Sequence, residues 1–247
     1  MSGHSKWSQI KRKKAVIDSK RGKEFSKLVK EISVAAKIGG TDPDMNPRLR
    51  AVMLKAKEIN MPVDNVKRAI QKATDTTATY EEFTYEGYGP SGAAILIDIM
   101  TDNKNRTAGE IRYIMSKNGG NLGETGCVAF MFEKRGLILV DKKETDEDSL
   151  MNIILEAGAL DMKNDPDNDN YEIFTESIDL IKVKNVIEVA KIKIVSSEVS
   201  MIPKNQVALD EKAATQILRL MDALDDNEDV QNVYSNFEIP DEIMEKL

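Results

Sequence analysis

The 247-residue chain holds one cysteine, one histidine and one tryptophan, and aromatic residues make up only 5% of it. Each scarcity excludes something. A lone Cys127 rules out an intramolecular disulfide and any Cys-rich zinc site. It lies in the apolar run Cys127-Val128-Ala129-Phe130-Met131-Phe132 and reads as a small buried hydrophobe. The lone His4 sits near the N-terminus, so no His-centred triad can form within a folded body, and no Gly-x-Ser-x-Gly stands in for one. No segment approaches the roughly 18 consecutive apolar residues of a membrane span. The basic N-terminus has no apolar stretch behind it, which argues against a secretory signal, and a motif-bearing stretch that begins at Ser2 argues against a removed organelle presequence. The expectation is a cytoplasmic protein whose cores rest on Leu, Ile, Val, Ala and Met.

What the chain does have is charge, unevenly placed. The overall net of −7 hides a partition: residues 1–72 carry 18 Lys and Arg against 7 Asp and Glu, and the remainder carries 17 against 35. The first thirty residues hold ten bases against Asp18 and Glu24. A basic module fused to an acidic body points to a polyanion partner.

The basic third reads as helices. Phe25, Leu28, Val29, Ile32 and Ala36 recur at three- and four-residue steps, ending at Gly39-Gly40, with Lys20, Lys23, Lys27 and Lys30 on the opposite side, facing water. A second helix opens with Asn46 as cap and Pro47 at its first position. A third starts near Pro62 with Val66, Ala69, Ile70 and Ala73 as its stripe. The polar run Thr74 to Thr79 marks a boundary. Strands then follow at Phe83–Tyr88 and Ala93–Met100. A capping box, Thr107-x-x-Glu110, opens a helix, and Val128–Phe132 reads as a strand. From Gly136 the order is βαββαβ, a ferredoxin-like unit. After Pro203 come a short strand, a helix capped by Asp210 and a strand at Val230–Phe237, completing the sheet begun at Phe83. The predicted fold class is α+β multidomain: a basic helical bundle over 1–78, an α+β domain over 79–134 plus 204–247, and an inserted ferredoxin-like domain over 135–203.

Candidate functional residues concentrate in the tail and bundle. Lys6, Lys11, Arg12, Lys13, Lys14, Lys20, Arg21 and Lys23 can neutralise phosphates and release counterions. Trp7 can stack on an unpaired base, and His4 can touch a phosphate or base edge. Lysines outnumber arginines here, which favours backbone contact over base readout. A solvated helix face, with Trp7 pinning the tail, is the plainer alternative. The glycine-rich run Asn118 to Gly126 lacks the Gly-Lys-Ser/Thr of a phosphate loop. The carboxylates of Asp222 to Asp229 are a remote metal or nuclease candidate; a solvated turn, or an acidic surface facing a basic partner, is the default reading.

Long motifs run through the chain: Met1-Ser-Gly-His-Ser-Lys-Trp, Lys20-Arg-Gly-Lys, Asn46-Pro-Arg-Leu-Arg, Asn60-Met-Pro-x-Asp-Asn, Tyr85-Glu-Gly-Tyr-Gly-Pro, Thr101-Asp-Asn-Lys-Asn-Arg-Thr, Lys117-Asn-Gly-Gly-Asn-Leu-Gly and Asp229-Val-Gln-Asn-Val-Tyr-x-Asn-Phe. Together they resemble the YebC/PmpR family, relatives of the mitochondrial translational activators of cytochrome oxidase. Asp75 departs from the glycine of many relatives. The resemblance implies the three-domain architecture above, no catalysis and no cofactor. It implies a DNA-binding transcriptional regulator, or alternatively a ribosome- or rRNA-associated translation factor. It adds Arg48 and Arg50 to the nucleic-acid candidates. Neither a membrane nor a small-molecule substrate is expected, and protein partners would use the acidic body. A protein-interaction scaffold is a third class.

Overall fold

A computed structural model describes residues 18–75, 80–166 and 168–244. Helices α1 (Asp18–Gly39), α2 (Pro47–Glu58) and α3 (Val63–Asp75) form the N-terminal bundle. Their stripes meet in one core of Ile32, Ala36, Leu49, Val52, Ala56, Val66 and Ala69. Asn46 joins two helices. Its carboxamide oxygen accepts from Leu49 N–H at 3.0 Å to cap α2, while its nitrogen donates to Ala35 O at 2.8 Å and Gly40 O at 2.7 Å. Those two carbonyls lie in the last turns of α1 and just past its end, so the one side chain ties both helices together. Gly40 at φ 89° stops α1, a conformation costly for any residue with a Cβ.

The second unit is a sheet ordered β3-β1-β2-β9, from β1 (Glu81–Tyr88), β2 (Ala94–Thr101), β3 (Asn121–Leu122) and β9 (Val230–Ser235). Helices α4 (Lys104–Lys117) and α7 (Glu211–Asp225) cover one face. Ile95, Ile97 and Ile99 alternate along β2 toward Ile111, Met115, Ile217, Leu220 and Leu224. Two expectations fail here for physical reasons. Val128–Phe132 is not a strand; a 3-10 turn occupies Ala129–Met131. The Glu86 carboxylate accepts N–H groups from Gly126 at 2.6 Å, Val128 at 2.8 Å and Ala129 at 2.8 Å. A ladder would have needed those donors. Burial opposes the ionisation of Glu86, yet the three N–H groups hold its pKa below the ordinary value. The Thr107–Glu110 capping box is also wrong. The helix starts a turn earlier, with Asn103 accepting from Arg106 N–H, and Thr107 points inward.

The third unit runs β4 (Phe132–Asp141), α5 (Glu147–Ala157), β5 (Ala159–Lys163), β6 (Asn170–Glu176), α6 (Leu180–Val189) and β7 (Ile194–Pro203). Its sheet order, β5-β6-β4-β7, is antiparallel throughout, the ferredoxin-like arrangement. Asp146 caps α5 by accepting from Ser149 N–H at 2.9 Å. The unit is inserted into the second. β4 and β7 enter and leave side by side, paired from Phe132↔Pro203 to Val140↔Ile194, and the chain returns to the first sheet when β9 pairs with β2. The remaining strands, β8 (Val207–Ala208) and β10 (Phe237–Glu238), form a small parallel pair, and α8 (Asp241–Met244) follows.

Candidate nucleic-acid interface

Of the twelve candidates, His4, Lys6, Trp7, Lys11, Arg12, Lys13 and Lys14 lie outside the described residues. Lys20 and Arg21 fall in the first turns of α1, and their side chains lie outside the described set. The other three all have partners. Lys23 pairs with Asp226 at 2.9 Å. Arg48 forms a forked pair with Glu82, and this hydrogen bond is the main cause of its raised pKa. Arg50 donates to the carbonyls of Pro43 at 3.0 Å and Asp44 at 2.7 Å, bracing the α1–α2 turn.

The lysine face of α1 does not look onto water as expected. It lies against the loop between α7 and β9. Lys27 Nζ reaches Asp225 Oδ1 at 2.9 Å and the Asp225 carbonyl at 2.7 Å. Lys30 Nζ reaches Asp229 Oδ1 at 2.8 Å and the Glu228 carbonyl at 2.8 Å. Three lysines at steps of four and three residues share one helix face, which the loop meets carboxylate by carboxylate. The placement also settles a local conflict. Carboxylates at the end of α7 oppose its dipole, and lysine ammoniums against the last carbonyls offset that.

Asp229 is the centre of the contact. Its second oxygen accepts from Arg106 at 2.8 Å, Thr107 at 2.7 Å and Thr101 at 3.1 Å. Burial would raise its pKa, but the hydrogen bonds from Lys30, Arg106 and Thr107 and the Lys30 charge outweigh that and hold it at about 2. Of the carboxylates that offered a remote metal site, Asp225, Asp226 and Asp229 are thus engaged by the chain's own cations. Among the described residues no three His, Cys, Asp or Glu converge to hold a metal ion. Lys27, Lys30, Arg106 and Asp229 were not among the sequence candidates as a group. The signals were the two motifs that hold Arg106 and Asp229, and the acidic run itself, read as a surface facing a basic partner; that partner is α1.

Beyond this contact the three units surround a cleft of about 1250 Å³, lined by Leu28, Arg48 and Ile59 from the bundle, Asp98 and Tyr234 from the second sheet, and Ile178 and Val199 from the inserted unit. On its floor Thr84 donates to Asp98 at 3.0 Å. Burial raises the pKa of Asp98, and burial together with the Asp98 and Glu198 charges raises that of Tyr234. Cys127 is half-buried, and burial with the nearby Glu86 charge raises its thiol pKa, so it is a poor nucleophile.

Comparison with known proteins accounts for the whole described chain. The family model for the TACO1/YebC N-terminal domain matches residues 5–76, and that for the TACO1/YebC second and third domain matches residues 80–237. A protein of Pelotomaculum thermopropionicum named probable transcriptional regulatory protein is 58% identical over 245 residues, covering 98% of this chain and 100% of the relative. One of the same name from Syntrophus aciditrophicus is 54% identical over 250 residues, covering 100% and 99%. The crystal structure of a conserved hypothetical protein from Aquifex aeolicus superposes with a TM-score of 0.81 at 41% identity, covering 92% of this chain and 93% of that one. On matches that run through the bundle, the sheet and the inserted unit alike, this chain belongs to the TACO1/YebC family.

Proposed function

We propose that the protein is a non-enzymatic, DNA-binding regulator of transcription that works through its basic N-terminal module. The charge partition carries this reading: 18 bases against 7 acids in residues 1–72, on a chain whose remainder is acidic. Lysines that neutralise phosphates supply salt-dependent, sequence-independent affinity. The ion pairs of Lys23, Lys27 and Lys30 refine the reading, because those lysines are already neutralised by Asp226, Asp225 and Asp229. Phosphate contact then falls to Lys6, Lys11, Arg12, Lys13, Lys14, Lys20 and Arg21, with His4 and Trp7 making local contacts. Lys57 and Lys67 add to it on the outer bundle, exposed and without an ion pair among the described residues. The acidic body as a whole repels the same polyanion and favours duplex contact at the bundle end. The names of the relatives favour transcription over translation.

The test is a mobility-shift titration of duplex DNA against salt, with the full chain. For wild type, log K should fall steeply with log salt. In the triple variant Lys11→Glu, Lys13→Glu, Lys14→Glu the slope should shrink by about 2.7, about 0.9 for each phosphate no longer neutralised. An unchanged slope would sink the assignment to the tail. Wild-type protein that co-sediments with ribosomes yet shifts no DNA would overturn transcription in favour of translation.

A further inference from the structure

Helix α4 is out of character with the body that carries it. Its fourteen residues hold Lys104, Arg106, Arg112 and Lys117 against Glu110 alone, whereas residues 73–247 hold 17 bases against 35 acids. Two of the four are spent internally, Lys104 on Glu81 and Arg106 on Asp102 and Asp229. Arg112 and Lys117 make no ion pair among the described residues. Beside them stands Tyr113, 63% exposed, with Lys117 Nζ 5.5 Å from its ring centre. A single exposed aromatic is ordinary; its surroundings are not. At 100° per residue Asn105, Gly109, Arg112, Tyr113, Ser116 and Lys117 share one arc, opposite the buried Ile111 and Met115. Gly109 stands one turn before Tyr113 on this arc. A Cβ at Gly109 would meet nothing within 4 Å. Glycine in mid-helix is destabilising relative to alanine, and packing gives no reason for it here. What it does provide is an open helix surface one turn from Tyr113.

We propose that this face of α4 is a second nucleic-acid contact, selective for single strands: an unpaired base stacks on Tyr113 above Gly109, and Arg112 and Lys117 hold the flanking phosphates. The chemistry chooses the occupant. Aromatic rings stack on any base that is not already paired, and adjacent cations track the backbone. A duplex offers phosphates to Arg112 and Lys117 but no face to Tyr113. The contact is separate from the bundle and tail, and so extends the proposed function without depending on the tail residues.

Fluorescence anisotropy of a labelled oligouridylate of about 12 nucleotides, with the full chain, tests it. Tyr113→Ala should weaken binding roughly tenfold with an unchanged salt slope, and Tyr113→Phe should bind like wild type. Gly109→Leu, which strengthens the helix, should weaken binding by filling the space. The double variant Arg112→Ala, Lys117→Ala should lower the salt slope by about 1.4. Wild-type affinity in Tyr113→Ala, or in Gly109→Leu, would overturn the proposal. The tail variant Lys11→Glu, Lys13→Glu, Lys14→Glu, run beside it on duplex DNA, separates the two readings. Duplex binding abolished in the tail variant, with oligouridylate binding indifferent to Tyr113, removes the α4 contact alone. Tyr113-dependent oligouridylate binding by a protein that shifts no duplex removes the tail reading alone.

Discussion

Asp229 is 4% exposed and accepts hydrogen bonds from four side chains supplied by α1, α4 and the end of β2. Its carboxylate charge is what those partners were placed for. Asp229→Asn keeps the shape and removes the charge, and should cost about 2 kcal/mol of stability at neutral pH in urea unfolding. The pH dependence has a definite sign. The folded carboxyl titrates at about 2, below its ordinary 3.8. The stabilisation is therefore fully present above about pH 4 and is lost as pH falls from there toward 2. The gap between wild type and Asp229→Asn should close over that window; a gap that stays constant would mean that the amide's NH2, set against donors, and not the lost charge, causes the difference. Asp229 opens one of the long motifs and Thr101, Arg106 and Thr107 belong to another, but nothing local showed that the two meet, because the partners come from distant segments.

At the scale of elements, caps and periodicity account for most of what was expected, and side chains from distant segments account for what was missed. Asn46 and Pro47 announce α2 directly. Because the same carboxamide also serves Ala35 and Gly40, Asn46→Ala should cost more than an ordinary cap, about 2 kcal/mol by thermal or urea unfolding. A loss near 0.5 kcal/mol would mean that only the cap counted. The run Val128–Phe132 looks like a strand by composition, yet Glu86, some forty residues earlier, takes the donors its ladder would use. Glu86→Ala should cost about 3 kcal/mol and loosen residues 126–131 in hydrogen exchange, since buried N–H groups lose their acceptor. Glu86→Gln, which keeps one acceptor oxygen, should fall between. The helix start at Lys104 was displaced for a similar reason: Thr107 is recruited by Asp229, and Asn103 takes over the cap.

Across the whole molecule, two sets of ion pairs hold the bundle to the body. Lys23, Lys27 and Lys30 meet the α7–β9 loop, and on another side Arg48 meets Glu82 and Lys184 meets Glu58 at 3.5 Å. Such contacts are screened by salt and reversed by charge, unlike the apolar core inside the bundle. The double variant Lys27→Glu, Lys30→Glu should therefore release the bundle without unfolding it. The expected result is a larger radius of gyration in small-angle scattering with unchanged helical circular dichroism, because Ile32, Leu49 and Val66 remain packed. An unchanged radius would show that the remaining contacts suffice; a loss of helicity would show that the bundle needs the body to fold.

The sequence by itself determined the three helices and their stripes, the ferredoxin-like order of the inserted unit, the return of the chain to the first sheet, and the family. Each follows from periods of two and 3.6 residues, from caps, or from long motifs, all of which are local. Tertiary structure alone decided which lysines are free. Helical period says only that Lys27 and Lys30 lie away from the apolar stripe. That this side is covered depends on carboxylates 198 and 199 residues further along the chain. Coulomb attraction acts across space and leaves no period in sequence, so the acidic run and the basic helix were both legible while their pairing was not.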